Sequence, residues 1–281
     1  MKKQIKQNKV FFIIGSGRCG TRTFYRMLAG HEKIEIHHEY LCTHVQPLGV
    51  LYYLNFLSIS DVVEKLSKLY LPAVTYSSKE IFIDSSNKIT WLIEPMFELF
   101  PQAKFLAIAR DGRKVVASFF YKLKDEIYDD KSTKILLEWY LNPHKKIMPP
   151  PEKKYWWNIP PKDHPLHKEF LRFSRFERIC YHWQEAYRVI LKKREQLGED
   201  KIFLLKLEDI ISSELMLKKV FEFLQIEYNP IYFEFLKKPK NVFFPMDFKL
   251  TPELEETFWK ICGEIMEKLG YKERNQYEVK Y

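Results

Sequence analysis

The chain has 281 residues, and 46% of them are hydrophobic, a share that supports a sizeable buried core and excludes an intrinsically disordered protein. Its 46 Lys and Arg against 37 Asp and Glu leave a net charge of +9, which favours an anionic partner. The four cysteines form no CxxC pair, which excludes a zinc ribbon and favours a reducing compartment, the cytoplasm.

No segment of the sequence predicts a membrane span. The uncharged stretch 45–60 is shorter than the ~20 residues that a spanning helix needs, and Pro47, Gly49 and Asn55 interrupt it. The basic start MKKQIKQNK precedes an apolar run that is too short for a signal peptide. We therefore interpret this start as a solvated tail that leads into a buried strand.

Short apolar runs alternate with amphipathic stretches along the chain. The runs that predict strands are 10–14, 81–84, 104–109 and 201–205. The stretches that predict helices are 20–29, 87–100, 112–124, 172–196, 208–224 and 251–269. Nearly all-apolar strands separated by helices indicate an α/β fold with a mainly parallel central sheet flanked by helices. We expect one domain over residues 1–281.

The segment 142–168 interrupts this alternation. It is rich in Pro, Lys, His and Trp and has no clean period. A long loop of this kind in a compact domain is usually a lid, a binding loop or disordered. Because Tyr155, Trp156 and Trp157 would be costly to leave in water, we predict an ordered lid.

The sharpest motif is a glycine-rich turn between the first strand and the first helix, VFFII-GSGRCGTRT-FYRML. Gly15, Gly17 and Gly20 allow a tight turn whose main-chain N–H groups point inward. The N-terminus of the following helix adds positive partial charge at the same place. This arrangement predicts a main-chain cradle for an anion, with the cation Arg18 inside it.

The cradle differs from that of nucleotide triphosphatases. Their pattern GxxxxGK[ST], aligned on Gly15, requires Lys at position 21 and Ser or Thr at position 22, where this chain has Thr21 and Arg22. The residues that would bind a magnesium nucleotide are therefore replaced. This favours an oxyanion substrate handled without a metal ion.

A second basic element follows the strand 104–109. Arg110 stands at the carboxyl end of that strand, where doubly wound folds bind ligands, and Ser118 follows on the next helix. A guanidinium and a hydroxyl placed in this way can bind one phosphate together. The alternative is a surface ion pair of Arg110 with Asp111 or Glu98.

Both elements resemble motifs of the sulfotransferases that use 3′-phosphoadenosine 5′-phosphosulfate (PAPS). GSGRCGTR is similar to their 5′-phosphosulfate loop, and AKFLAIARDGRKVVASFF is similar to their 3′-phosphate strand and helix. RICYHWQEAYRVI, KIFLLKLEDI and LTPELEETFWKICGEIMEKLGY resemble later elements of the family in the same order. RDGR and SSNK are most similar to the tyrosylprotein-type and glycan-type members. The resemblance covers nearly the whole chain outside 142–168.

The resemblance implies an enzyme that transfers the sulfuryl group of PAPS to a hydroxyl or amine and releases adenosine 3′,5′-bisphosphate (PAP). It implies in-line displacement without a metal ion, helped mainly by positioning and positive charge. The acceptor would be a glycan, a tyrosine-containing peptide or another small molecule. The donor-binding residues that it implies are Gly17, Arg18, Cys19, Gly20, Thr21, Arg22, Thr23, Arg110 and Ser118.

The same resemblance implies three catalytic residues. Arg18 would contact the leaving phosphate, and Lys88 of SSNK would reach the sulfuryl oxygens. Glu39 of EIHHEY would be the base that takes the acceptor proton, with its pKa raised by partial burial. His37 and His38 are alternative bases.

Three further assignments are weaker. Thr23 stands where cytosolic members carry an aromatic residue that stacks on adenine, so Tyr181 or Trp183 would take that role. The basic residues Lys237, Lys238 and Lys240 are a candidate for closing over the 3′-phosphate. His37, His38, Cys42 and His44 fit no standard zinc motif, and we predict no metal site.

Two other function classes stay open. A P-loop kinase acting on a small molecule would explain the glycine-rich turn, although the lysine–serine pair is missing. A non-enzymatic protein that binds nucleic acid or another anion would explain the charge of +9. We favour no nucleic-acid partner, because the positive residues are spread along the chain among 37 acidic ones. The sequence leaves the oligomeric state open.

Overall fold

One parallel sheet forms the centre of the protein in a computed structural model that describes residues 8–237 and 249–271. Its strands are β1 (Lys9–Ile14), β2 (Ile34–His38), β3 (Ile81–Ser85), β4 (Lys104–Ala109) and β5 (Ile202–Lys206), in the order β2-β3-β1-β4-β5. Every strand pairs in parallel with its neighbours. All carboxyl ends therefore lie along one edge, and β1 delivers the glycine-rich turn to the middle of that edge.

The α/β fold predicted from the sequence is confirmed, with one strand missed. The four predicted strands are all present, within one residue of their expected bounds. They were recognisable because their residues are almost all apolar and buried, as in β3, where all five residues are buried. The missed strand, β2, has the sequence IEIHH at the edge of the sheet and is mostly half-buried. An edge strand that alternates polar and apolar residues lacks the continuous apolar signal.

Helices cover both faces of this sheet. In the described residues they are α1 (Thr21–Leu28), α2 (Cys42–Tyr53), α3 (Ile59–Tyr76), α4 (Ile93–Leu99), α5 (Gly112–Lys122), α6 (Asp130–Leu141), α7 (His167–Phe170), α8 (Arg175–Leu197), α9 (Leu207–Ser212), α10 (Glu214–Leu224), α11 (Ile231–Lys237) and α12 (Pro252–Lys268). Short 3-10 turns lie at Ile89–Leu92, Lys124–Glu126 and Lys153–Tyr155. Among the described helices, none is long and apolar enough to cross a membrane.

The two faces have separate cores, which follow from the alternation of side chains along β1. Val10, Phe12 and Ile14 lie in a core with residues of α3, α4, α5 and α8. Phe11 and Ile13 lie in a second core with residues of α1, α10 and α11. Successive residues of a strand point to opposite faces, so a continuous apolar run is what a sheet with two covered faces requires.

Five of the described helices, α2, α3, α6, α7 and α11, were not predicted, and prolines explain two of them. Pro47 lies inside α2 and Pro72 lies inside α3. We took the first as an interruption because proline weakens a helix interior. In α3 two features stabilise the helix in spite of Pro72. One is a capping box of Ser58 with Asp61, and the other is a buried stripe at helical spacing, Val62, Leu66, Tyr70 and Val74. Tertiary burial of that stripe outweighs the local preference. Of the other three, α6 is N-capped by Asp129, and α7 and α11 have only four and seven residues.

Two predicted helices differ in detail from those observed. The expected helix 208–224 is two helices, because Ser213 ends α9 and caps α10, its side chain accepting from the Met216 N–H. The expected helix 87–100 begins with the 3-10 turn Ile89–Leu92 before α4. The last helix begins as expected, with Thr251 as N-cap and Pro252 in the first turn.

The segment 142–168 is ordered and packs on the first core. Trp156, Trp157 and Ile159 are buried there. The indole of Trp156 donates to the Pro150 carbonyl at 2.7 Å, and that of Trp157 donates to the Glu126 carbonyl at 3.0 Å. The tryptophans are therefore part of the core, as their cost in water requires. Opening of the segment as a lid stays a prediction.

A buried carboxyl group ties β3 to its surroundings. Asp84 is fully buried; it accepts from the Tyr70 hydroxyl at 2.8 Å and from the Tyr40 main-chain N–H at 3.1 Å. Burial raises the pKa of Asp84 to about 7 in spite of these two bonds. The folded state therefore binds this proton more tightly than the unfolded state, in which an Asp has a pKa of about 3.9.

We predict that Asp84→Asn makes the protein more stable at pH 8 relative to wild type. The contribution of the Asp84 proton to stability is complete below about pH 4 and is lost as the pH rises through about 7. The variant carries an uncharged group at every pH, so its advantage in urea unfolding should grow by roughly 4 kcal/mol between pH 4 and pH 8.

Tyr70→Phe should change the pH dependence of the free energy of unfolding in the opposite direction to Asp84→Asn. It removes a bond that favours the charged form of Asp84, so its stability should fall more steeply with pH than that of wild type. An equal slope for all three proteins would contradict the assignment of this titration to Asp84.

Candidate functional site

Hydrogen bonds to its first two residues hold the start of the loop between β1 and α1. The Gly15 N–H donates to the Thr90 hydroxyl at 3.1 Å, and that hydroxyl donates to the Gly15 carbonyl at 2.9 Å. The Ser16 carbonyl is 2.9 Å from Nε2 of the buried His182, which donates to it. These bonds come from the turn before α4 and from α8, so the first core fixes the course of the loop.

Glycine is required at position 17. Its φ is 85°, and a Cβ there would lie 2.9 Å from Asn87 Nδ2 and 3.0 Å from Phe119 Cζ. Arg18, the next residue, also has a left-handed φ of 55°. The close approach brings Asn87, and with it Lys88, against the loop, so two distant motifs of the sequence meet here.

The first group of positive side chains surrounds Ser118 on α5. The Arg18 Nε donates to the Ser118 hydroxyl at 3.0 Å, and the Arg110 guanidinium donates to the Arg18 carbonyl at 2.9 Å. Lys122 lies one turn after Ser118; burial and the charges of Arg18 and Arg110 lower its pKa. The mutual repulsion that this shift records means that positive potential is concentrated here, as an anion site requires. We name Arg18, Arg110, Ser118 and Lys122 the α5 cluster.

The alternative ion pair of Arg110 with Asp111 is not formed. Asp111 accepts from Arg113 at 2.7 Å, and the Arg113 side chain is only 2% exposed. Asp111 also caps α5 by accepting from the Arg113 N–H at 2.9 Å. Because Asp111 is occupied in this way, the guanidinium of Arg110 is directed to the loop.

The second positive group is Lys88, at the start of the turn after β3. Lys88 is 3% exposed, and its Nζ has no hydrogen-bond partner within residues 8–237 and 249–271. The ammonium lies over the Trp157 ring, 4.4 Å from the centroid. Burial lowers the pKa of Lys88 to about 7, against the favourable charge of Glu39. The unused donors of Lys88 suit an anionic oxygen, but the Nζ is enclosed by its neighbours in this structure.

Glu39 faces Lys88 from the end of β2. Its backbone has a left-handed φ of 54°, and its N–H donates to the Ser85 carbonyl at 3.2 Å. Its carboxylate accepts from Lys153 of the 142–168 segment at 3.2 Å. Burial raises the pKa of Glu39, but the charges of Lys88, Lys153 and His38 together outweigh it, and the net shift is downward. The raised pKa that we expected is therefore wrong.

The two alternative bases are engaged elsewhere. Nε2 of His37 is 2.9 Å from the Glu35 carboxylate, and Nδ1 of His38 donates to the Ser85 carbonyl at 2.8 Å. Of the three candidates, Glu39 is therefore the group that faces Lys88. Within the described residues, no group of three or more His, Cys, Asp or Glu could hold a metal ion.

The other loop residues contribute unequally. Cys19 is fully buried under Gly15, whose Cβ would lie 2.5 Å from its sulfur, so only its main chain can reach a ligand. Burial raises the pKa of this thiol. Thr21 opens α1, and its carbonyl accepts from Ser85 at 2.8 Å. Arg22 is exposed, and the Thr23 N–H donates to the Gly20 carbonyl at 2.8 Å, so its hydroxyl is the group that remains for a ligand.

Sequence reasoning missed Lys122, Lys153 and the ring of Trp157 as parts of the site. Lys122 could have been predicted from the sequence, since it stands four residues after Ser118 on a predicted helix. Lys153 and Trp157 had no signal beyond the composition of their segment. The two residues considered for adenine, Tyr181 and Trp183, are fully buried and offer no face to a ligand. Lys237 ends α11, and Lys238 and Lys240 lie outside the described residues.

Comparisons with known proteins identify the fold. No protein-family model matches the chain, and no curated protein sequence matches it. A sulfotransferase from Mycobacterium avium superposes with a TM-score of 0.50 at 11% identity, over 94% of this chain and 77% of that one. The mouse sulfotransferase SULT7A1 complexed with PAP gives 0.48 at 13% identity, over 96% and 85%. One from Alicyclobacillus acidocaldarius gives 0.47 at 14%, over 93% and 94%.

The chain therefore has the sulfotransferase fold, as the resemblance of its motifs implied. This conclusion rests on the superposition with the Mycobacterium avium enzyme and concerns the fold alone.

The packing at Gly17 gives a testable prediction with a matched control. Gly17→Ala should lower the free energy of unfolding by about 2 kcal/mol more than Gly30→Ala, because overpacking costs roughly 1–3 kcal/mol. Gly30 has nearly the same φ, 88°, but a Cβ there meets nothing within 4 Å. Chemical denaturation of both variants measures the difference, and equal losses would show that the contact with Asn87 and Phe119 has no weight.

Proposed function

We propose that the protein is a PAPS-dependent sulfotransferase that transfers the sulfuryl group to a hydroxyl or amine and releases PAP. One observation carries the proposal: positive groups lie on both sides of one glycine-rich loop. The α5 cluster lies on one side, and Lys88 with Glu39 lies on the other. PAPS has a matching distribution of charge, a 3′-phosphate at one place and a phosphosulfate at another.

The chemistry of the residues fits this donor. The guanidiniums and hydroxyl of the α5 cluster are strong donors to a phosphate. The loop and the N-terminus of α1 suit the 5′-phosphate, with Arg18 reaching between the two phosphates. The ammonium of Lys88 has no hydrogen-bond acceptor in the described part of the chain and suits the sulfuryl oxygens. The fold found in the comparisons supports the same donor class.

In the proposed reaction, the acceptor oxygen or nitrogen attacks sulfur while the bond from sulfur to the phosphate oxygen breaks. Lys88 stabilises the sulfuryl oxygens, and Arg18 stabilises the phosphate that leaves. The proton of the acceptor passes to Glu39, which its cationic neighbours keep ionised. A carboxylate of lowered pKa is a weak base, so the proton moves as the acceptor becomes acidic in the transition state.

We propose that the acceptor lies between Glu39 and the segment 142–168. Lys153 connects the two, and the segment adds aromatic and lysine side chains on that side. A sugar ring or a tyrosine of an acidic peptide suits such a surface. We also propose that residues 1–281 act as one domain in the cytoplasm. Cys19, Cys42, Cys180 and Cys262 are free thiols, which supports a reducing compartment.

Arg110→Ala should weaken PAP binding by roughly 10–100-fold in calorimetry, because a hydrogen bond to a charged group is worth about 1.5–3 kcal/mol. The control is Arg172→Ala, which removes an exposed guanidinium in the turn before α8 and should leave the affinity within about twofold. Equal affinities for wild type and Arg110→Ala would remove Arg110 from the donor site. Absence of PAP binding by wild type would refute the proposed function.

Glu39→Gln should lower kcat by roughly 10²–10⁴-fold, the usual contribution of a general base, while PAP binding is retained. The assay uses labelled PAPS and the best acceptor from pools of glycans, peptides and phenols. Glu35→Gln is the matched control, since Glu35 lies four residues before Glu39, on β2, and pairs with His37. Comparable kcat values for Glu39→Gln and wild type would eliminate Glu39 as the base.

A further inference from the structure

One short stretch of the segment 142–168 reaches both charged groups of the reaction centre, by which we mean Lys88 and Glu39. Lys153 Nζ is 3.2 Å from Glu39, and the ring of Trp157 lies under Lys88 at 4.4 Å. Only four positions separate the two contacts along the chain. The stretch 153–157 is therefore a wall of the site and not only a cover over it.

Hydrogen bonds from a side chain of α2 to main-chain carbonyls hold this stretch in place. Nε2 of the buried Gln46 on α2 donates to the Lys153 carbonyl at 3.2 Å and to the Trp156 carbonyl at 2.6 Å. These bonds link α2 to both ends of the turn Lys153–Tyr155. They hold the main chain just before Trp157, and Lys88 takes no part in them.

Contacts around its ring fix the orientation of Trp157. The indole N–H donates to the Glu126 carbonyl at 3.0 Å. Phe119, Tyr128 and His182 pack around the ring, with centroids at 6.1, 5.7 and 5.2 Å. Trp157 is 4% exposed. A ring locked in this way keeps one face toward the ammonium.

The groups that face Lys88 do not neutralise it by direct bonding. Glu39 at the end of β2 and Cys42 on α2 favour its charged form, and Lys153 opposes it. The buried His182 on α8 is the other titratable neighbour, and its pKa is lowered to about 4 chiefly by burial. None of these groups makes a hydrogen bond with the Lys88 ammonium. The face of Trp157 lies 4.4 Å from the ammonium and stabilises its charge.

An aromatic face stabilises an ammonium in a different way from a carboxylate. A carboxylate would occupy its N–H donors, whereas the quadrupole of the ring attracts the charge without accepting a conventional hydrogen bond. The effect is strongest where water is excluded, as it is here.

We propose that Trp157 is a positioning residue of the reaction centre: its ring keeps Lys88 charged and leaves the N–H donors of the ammonium for the oxygens of the transferred group. This inference rests on the proposed function. It assigns Trp157 a role in the charge state of Lys88, which a merely structural tryptophan would not have.

The test compares PAPS and PAP binding between pH 6 and pH 9 by calorimetry. PAP lacks the sulfuryl group, and the second ionisation of its 5′-phosphate, at about pH 6, is common to all variants. The difference between variants in the ratio of the two affinities therefore reports on Lys88 and needs no acceptor. Wild type should lose its preference for PAPS as the pH rises and Lys88 deprotonates. In Trp157→Leu the loss should occur about one pH unit lower, the shift that a cation–π contact of ordinary strength provides.

Trp157→Phe should fall between wild type and Trp157→Leu, because it keeps a weaker aromatic face. It also carries the test if the leucine variant does not fold. Trp139→Leu is the matched control, since Trp139 on α6 is equally buried, at 4% exposed, and lies outside the stretch 153–157; its transition should stay at the wild-type pH.

The outcomes separate this inference from the proposed function. A transition at the wild-type pH in both Trp157 variants overturns the inference, and so does a loss of PAPS preference that is equal at every pH. Failure of wild type to bind PAP overturns the proposed function instead. A loss of PAPS preference at lower pH in the Trp157 variants, but not in the control variant, supports the role of the ring.

Discussion

Buried positive charge without a hydrogen-bond acceptor is the constraint on which this site depends. Lys88 is enclosed by the core, and its Nζ has no partner among the described residues. A buried polar group left unpaired costs roughly 1–3 kcal/mol, and more if it is charged. This unpaired charge lies at the carboxyl edge of the sheet, where binding of an anion would offset its free-energy cost. The aromatic contact with Trp157 and the facing carboxylate of Glu39 reduce the cost without occupying the donors.

The parallel sheet explains why these groups meet. The carboxyl ends of β2, β3, β1 and β4 lie side by side, and they deliver Glu39, Lys88, the glycine-rich loop and Arg110 in that spatial order. The carboxylate and the ammonium therefore lie on one side of the loop and the α5 cluster on the other. The net charge of +9 could not have revealed this division, because it sums over the whole chain. What matters for an anion is where the uncompensated charge is concentrated.

The segment 142–168 contributes more than a cover. Its tryptophans belong to the first core, and two of its side chains contact the charged pair at the centre of the site. A loop whose buried residues form part of the core is held in position by the hydrophobic effect. Its exposed portion, which includes Ile147 and Met148, is free of that restraint. The same segment therefore combines a fixed wall with a surface that faces solvent.

The order of residues was enough to predict the features that depend on local pattern: the apolar strands, the glycine-rich turn and the placement of Arg110 and Ser118 after β4. It could not indicate β2, whose polar alternation suits an edge strand, or α3, whose Pro72 is outweighed by burial. The charge states of the site residues, and the side chains that contact them, follow from the tertiary structure and not from local sequence. The pKa of Glu39 is lowered because Lys88 and Lys153 approach it from 49 and 114 positions away in the chain. Electrostatic energy depends on distance in space and on exclusion of water, and neither can be read from the order of residues.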